Sequence, residues 1–301
     1  MVAVMNASAS IESYVSLGGR RLALGSVWDS ERFDARARRR LRNEFLAGAP
    51  FQHVIIDGLF DERLLDLVHD DFQQSPRDAW LHENGDNEST RRMRPGAILP
   101  AASELYFNTL YSNRFTTFIS EITGLEHLIP DPTLLGGGLH ENKPGDWFGV
   151  HLDFARHSKT FLHNELALIT YLNRGWTEAY GGALELWDAQ QRVCAKAIVP
   201  VFGRTVILRQ GRESHHGHTA PVATPDGRPR RSVVADYYRN QDALNLTGID
   251  PAEHTSLFLS PRSSLMGRIK RWAHLVTPPV LMSWLLRLRG RAPWLTPPSD
   301  S

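Results

Sequence analysis

A single cysteine, Cys194, stands in a chain of 301 residues. No internal disulfide can form, which suits a reducing cytoplasm. Flanked by Val193 and Ala195, the thiol reads as a small core residue rather than a nucleophile. An excess of one charge is also lacking: 34 Lys and Arg stand against 33 Asp and Glu, so there is no general case for a nucleic-acid partner. No apolar run approaches the roughly 20 residues that span a bilayer. The first residues, MVAVMNASASIESYVSLGGRR, lack the basic start and continuous apolar segment of a secretory leader. These absences predict a cytoplasmic chain whose 42% hydrophobic content suffices for one substantial core with appendages.

What is present changes character along the chain. Arg36, Arg38, Arg39, Arg40 and Arg42 share a predicted helix with Phe33, Leu41 and Phe45, and read as its solvated face. The segment PFQHVIIDGLF from Pro50 predicts a strand, and DERLLDLVHDDF after it an amphipathic helix. Residues 82–96 have no period and read as a long loop. Helices are expected near Leu105–Tyr111 and Phe115–Ile122, the second stopped by Gly124. From Leu134 to Tyr238 eight short strand-like segments follow, at 134–142, 147–154, 166–173, 183–187, 195–201, 205–209, 215–220 and 232–238. Turn signals separate them, which points to a sandwich or jelly roll. Helices followed by a block of strands make the class α+β, with the helices packed on one sheet.

One triplet suggests chemistry. His151-Leu152-Asp153 lies in an aromatic-rich strand after Pro144-Gly145, and residues two apart on a strand project from one face. With 13 histidines, an H-x-D triplet is expected about once by chance. His69-Asp70-Asp71 is the internal control: on a helix, residues two apart diverge, so His69 reads as a surface or helix-end histidine. A third donor distinguishes the two triplets. In Ser214-His215-His216-Gly217-His218, alternation puts His216 and His218 on one face and leaves the choice between them open. Two imidazoles and a carboxylate can hold Fe(II) by one face, leaving positions for small molecules. Arg231 shares its strand face with Val233, Ala235 and Tyr237, and a charge among apolar groups needs a partner. The carboxylate of a chelating co-substrate would suit it, while Arg228 and Arg230 read as surface arginines.

The ordered block HLDF, LITYLNRGWTEAYGGALELWD, FGRTVILRQ, HHGH and RRSVVADYY resembles the prolyl-hydroxylase-type branch of the Fe(II)/2-oxoglutarate-dependent dioxygenases over roughly residues 50 to 240. The resemblance implies a double-stranded β-helix core (jelly-roll, cupin-like), with iron on His151, Asp153 and His216. It also implies 2-oxoglutarate held through its distal carboxylate by Arg231 and Tyr171, O2 as co-substrate, and Gly181-Gly182 with Leu184 as a wall. His215 and Thr219 stand where the family has an aromatic and a proline. The implied reaction is oxidative decarboxylation of 2-oxoglutarate to succinate and CO2, coupled to hydroxylation of a C–H bond. Asp153→Ala and Arg231→Ala are each expected to abolish it. Arg156 and His157, with Lys159, are candidate contacts to an anionic substrate.

Acidic residues are missing again between Thr255 and Ser299, where Arg262, Arg268, Lys270, Arg271, Arg287, Arg289 and Arg291 lie. Two apolar stripes, one with Trp272 and one with Trp284, flank Thr277-Pro278-Pro279. Two readings stand: a basic amphipathic anchor on the inner face of a membrane, touching it through Trp272 and Trp284, or a surface that docks on the catalytic domain or on another copy. The expected organisation is an N-terminal extension (1–49), a dioxygenase domain (50–245) and C-terminal amphipathic helices (246–301). Such a tail resembles that of the Kdo 3-hydroxylases acting on lipopolysaccharide, which puts a lipid-linked sugar first among substrates. A prolyl, peptidyl or free amino acid comes second. A non-catalytic zinc-binding barrel with a tethering tail is the reading from another class, and it leaves the arginine unexplained.

Overall fold

The computed structural model describes residues 13–28, 33–190, 192–240 and 257–258. A hairpin, β1 (Tyr14–Leu17) and β2 (Arg20–Ala23), precedes α1 (Ala35–Leu46), whose first turn is capped by the Asp34 carboxylate on the Ala37 N–H, at 2.8 Å. The arginines of α1 line its outer side, while Leu41 and Phe45 are buried. They enter the same core as Ile56 and Leu65. Next come β3 (His53–Asp57) and α2 (Glu62–Gln74), which buries Leu64, Leu65, Val68 and Phe72. Asp71 of α2 is also buried and accepts from the Ser103 N–H and Oγ, both at 2.7 Å, while His69 remains half-buried, so that H-x-D triplet does not converge.

The stretch expected to be a loop at 82–96 is instead a hairpin, β4 (Trp80–Asn84) and β5 (Glu88–Met93). Its apolar period is invisible because β5 presents Glu88, Thr90 and Arg92 to an internal pocket rather than to an oily core. Two helices follow, α3 (Ala101–Tyr111) and α4 (Asn113–Thr123), the latter ended by Gly124 at φ 75°, as its position predicts.

The remaining strands are β6 (Ile129–Pro130), β7 (Gly138–Asn142), β8 (Trp147–Leu152), β9 (His163–Tyr171), β10 (Leu184–Asp188), β11 (Val193–Ile198), β12 (Arg204–Arg209), β13 (His216–His218), β14 (Arg230–Arg239) and β15 (Leu257–Phe258). The eight expected strand segments correspond to β7 through β14. Pairing is antiparallel throughout these strands. One wall runs β11-β10-β13-β8 and the other β7-β14-β9-β12-β3; β5 joins them by pairing with both β7 and β8. The result is a double-stranded β-helix, a curled jelly roll.

Two buried clusters show which side of the larger wall is which. On its outer face Leu166, Leu168, Ile207, Val233, Ala235 and Tyr237 pack under the helices. On its inner face Ile169, Tyr171, Val206 and Leu208 meet Leu184, Leu186 and Ile198 of the opposite wall. Cys194 is not a core residue: it is exposed on β11, at the end of the strand order. Among the described residues no helix is long and apolar enough to cross a membrane. The expected boundary at 245, Trp272 and Trp284 lie outside the described residues.

Candidate metal centre

The pairing of β8 with β13 sets His151 directly opposite His216. Adjacent strands lie about 4.8 Å apart, and the two imidazole centroids are 4.6 Å apart. Asp153, two residues after His151, turns back between them: its Oδ1 is 3.3 Å from His151 Nε2 and its Oδ2 3.5 Å from His216 Nε2. One donor atom from each residue lies within 4.8 Å of the others, the dimension of a single-ion site. Both ring orientations are fixed from behind. His151 Nδ1 is 2.8 Å from the Gly149 carbonyl and His216 Nδ1 2.8 Å from that of Ser214. A carbonyl only accepts, so each Nδ1 carries the proton and each Nε2 offers its lone pair forward. Burial keeps the His216 imidazole neutral by pushing its pKa down. Burial alone would raise the Asp153 carboxyl, but His216 and His151 in their protonated forms more than reverse this and hold it at about 2. A neutral, neutral, anionic donor set with an open side fits Fe(II).

His218 shares the pocket-lining face with His216, as alternation predicts, but a register shift at Gly217 sets it apart from the three converging donors. It packs near Phe148, with ring centroids 6.2 Å apart.

The arginine assignment requires correction. Arg231 does share a face with Val233, Ala235 and Tyr237, but that face lies under the helices, away from the metal donors. Its guanidinium finds its partner there: Nε donates to Glu141 Oε2 at 3.0 Å, Nη1 reaches His69 Nε2 at 3.0 Å, and Phe72 lies beneath it. Arg91 donates to the other Glu141 oxygen, closing a buried network. Arg230 points the other way. It is 5% exposed, not a surface residue, and lines the pocket that holds His151, Asp153 and His216. Its Nε donates to the Gly182 carbonyl at 2.7 Å and its guanidinium lies 5.0 Å from the Tyr171 ring centre. Among the described residues no carboxylate comes within ion-pair distance of it, and Tyr171 Oη has no well-formed hydrogen bond. Asn142 Oδ1 accepts from it at 3.4 Å. Burial pulls the Arg230 pKa down, and the Tyr171 hydroxyl offsets part of this.

Local sequence explains the placement. The Asn173 carboxamide of the YLN run accepts the Arg231 N–H at 2.7 Å and donates to the Pro200 carbonyl, pinning the start of β14. Gly181 and Gly182 both have positive φ. A Cβ on Gly181 would stand 2.2 Å from the Pro221 carbonyl, and one on Gly182 only 2.8 Å from Arg230 Cδ. The glycine pair therefore makes the bed on which Arg230 lies, and Leu184 lines the same pocket.

The pocket encloses about 490 Å³. Arg156 and His157 do not line it. Arg156 is half-buried and donates to the Phe161 carbonyl. His157 is buried, its Nδ1 accepting from the N–H groups of Lys159 and Thr160 while Nε2 faces Thr133 and Asp131; it ties down a loop. Ser158 between them is the residue that reaches the pocket. Asn142, Arg230 and Asp236 were missed from the sequence. Register supplies the signal that finds Arg230: β14 pairs Ser232 with Tyr171, so whichever face holds Tyr171 holds Arg230 as well.

Residues 137–239 match the 2OG-Fe(II) oxygenase superfamily. Among solved structures the chain is similar to a Pseudomonas putida prolyl-4-hydroxylase (17% identity, 67% of this chain and 99% of that one, TM-score 0.49). It is also similar to a Trichoplax adhaerens prolyl hydroxylase solved with a hypoxia inducible factor peptide (15%, 71% and 95%, 0.48) and to HygX of Streptomyces hygroscopicus solved with nickel and 2-oxoglutarate (12%, 69% and 88%, 0.46). None of the curated proteins matches it. The segment that matches the 2OG-Fe(II) oxygenase superfamily, residues 137–239, spans both walls and carries all three converging donors.

Proposed function

We propose that His151, Asp153 and His216 hold the iron, that Arg230 with Tyr171 binds the distal carboxylate of 2-oxoglutarate, and that the chain hydroxylates a C–H bond of a small molecule or peptide residue in this pocket. The observation that carries the reading is the buried Arg230 guanidinium, without an acidic partner in the described set, on the pocket face of β14. Fe(II) with 2-oxoglutarate supplies activation of O2, one oxygen atom entering succinate and the other the substrate, with loss of CO2. The chain's own groups orient these partners. The two imidazoles present fixed Nε2 donors, the Arg230 fork takes a carboxylate in the plane of its N–H groups, and the apolar Ile169, Val234 and Leu184 shield the pair from water.

A lipid-linked sugar at the membrane rests on the tail alone. The pocket carries Glu83, Glu88 and Asp236 and gives an acidic sugar such as Kdo little to bind; a free or peptidyl amino acid meets no such obstacle. A closed structural zinc site would use four protein donors, and among the described residues three converge here.

Two measurements check the reading. Fe(II)-loaded protein given 2-oxoglutarate and a whole-cell extract is expected to release succinate and to add one oxygen to a component of the extract. Absence of both under aerobic conditions would sink it. Gly182→Ala, which forces a methyl against Arg230 in a positive-φ backbone, is expected to weaken 2-oxoglutarate binding by about 10-fold or more. Anaerobic titration of 2-oxoglutarate would show this, and unchanged affinity would remove the glycine bed from the account.

A further inference from the structure

The iron and 2-oxoglutarate assignment leaves one group in the pocket unused. Along the inner face of β14 the sequence Arg230, Ser232, Val234, Asp236 runs from a cationic to an anionic end, about 20 Å apart at 3.3 Å per residue. Asp236 is 5% exposed, and among the described residues its carboxylate has neither a hydrogen bond nor an ion pair. A Cβ placed on Gly136 would lie 3.0 Å from Asp236 Oδ2 and 2.9 Å from the ring of Phe154, the residue after Asp153. The carboxylate therefore sits beside the metal strand, at the end of the pocket remote from Arg230. An unpaired acid in such a position is costly to the fold, and a bound cation would relieve it.

The surrounding charge has the same sign. With Fe(II), Asp153, 2-oxoglutarate and Arg230 together, the inner site is neutral. Outside it stand Asp236, Glu88, whose described partner is the Thr90 hydroxyl at 3.0 Å, and Glu83. Arg92, 3.9 Å from Glu83 and donating to the Leu135 carbonyl, offsets only one of them. His140 adds no charge at neutral pH, since burial pushes it down to about 4.

Resting on that assignment, we infer that the substrate carries a cationic nitrogen, an ammonium or guanidinium, received by the Asp236 carboxylate while its reacting C–H bond faces the metal. The test uses a soluble metabolite extract passed over a strong cation exchanger at about pH 2, where carboxylates are protonated and any ammonium or guanidinium is retained, giving a cation-retained and an unretained fraction, each then returned to neutral pH. Succinate above the substrate-free level, with a mass gain of one oxygen, is expected from the cation-retained fraction. For that component Asp236→Asn is expected to raise KM by about 10- to 100-fold, because the amide copies the shape of a protonated acid but not the charge. The same variant, lacking a costly buried acid, is expected to unfold at an equal or higher urea concentration. Turnover confined to another fraction, a KM within about twofold of the original, or a lowered urea midpoint that marks a structural role would each overturn the inference. Wild-type protein that forms no succinate with or without any fraction would instead defeat the iron assignment, and the inference with it.

Discussion

Arg230→Ala is expected to abolish 2-oxoglutarate-dependent succinate formation in a protein that still folds, whereas Arg231→Ala is expected to damage the fold and leave the co-substrate pocket in place. The two side chains are neighbours in sequence and opposites in setting. Removing one partner of a desolvated, hydrogen-bonded charge pair costs about 2–5 kcal/mol, which is roughly 30- to several-thousand-fold in affinity. For Arg230 that loss falls on bound 2-oxoglutarate. Arg230→Lys is expected to recover only part of it, because an ammonium cannot reproduce the two-pronged fork. For Arg231 the loss falls on Glu141, left buried with Arg91 as its remaining ion-pair partner, and a cost of about 3 kcal/mol in unfolding free energy is expected. Anaerobic 2-oxoglutarate titration together with urea unfolding separates the two. Normal 2-oxoglutarate affinity in Arg230→Ala, or its loss in a stably folded Arg231→Ala, would reverse the assignment.

His216→Ala and Asp153→Ala are each expected to lose iron, and His218→Ala to keep it. Changes one shell out from a metal typically cost 10- to 100-fold in affinity, so deleting a donor from a set of three is expected to cost at least about 100-fold. His218 belongs to the same strand face but not to the converging group, so its replacement alters the pocket wall and leaves the donors intact. Metal content after dialysis against a weak chelator, followed by substrate-free 2-oxoglutarate consumption, reports both effects. An iron-free His218→Ala or an iron-replete His216→Ala would move the third donor.

Much of this arrangement is legible in one dimension. Strand alternation puts His151 with Asp153 and His216 with His218, and the structure groups them so. Helical spacing dismisses His69 and Asp71, whose side chains part company on α2. The same rule places Arg231 with Val233, Ala235 and Tyr237, correctly, yet the inference drawn from it fails. Periodicity says which residues share a face; it does not say which face looks into the barrel and which lies under the helices. The polar strand β5 escapes notice for a related reason: a strand lining a polar pocket has no apolar rhythm. Cys194 misleads because composition ranks a small thiol as core, while its place at the end of the strand order leaves it exposed.

Local chemistry thus names the donors, the glycine turn and the class of fold, because each depends on spacing of a few residues. The choice of Arg230 over Arg231, the choice of His216 over His218 and the isolation of Asp236 depend on register between strands far apart in the chain. A shift of one residue in that register turns every side chain to the other face, so only the closed walls, and not the local spacing, favour these three readings.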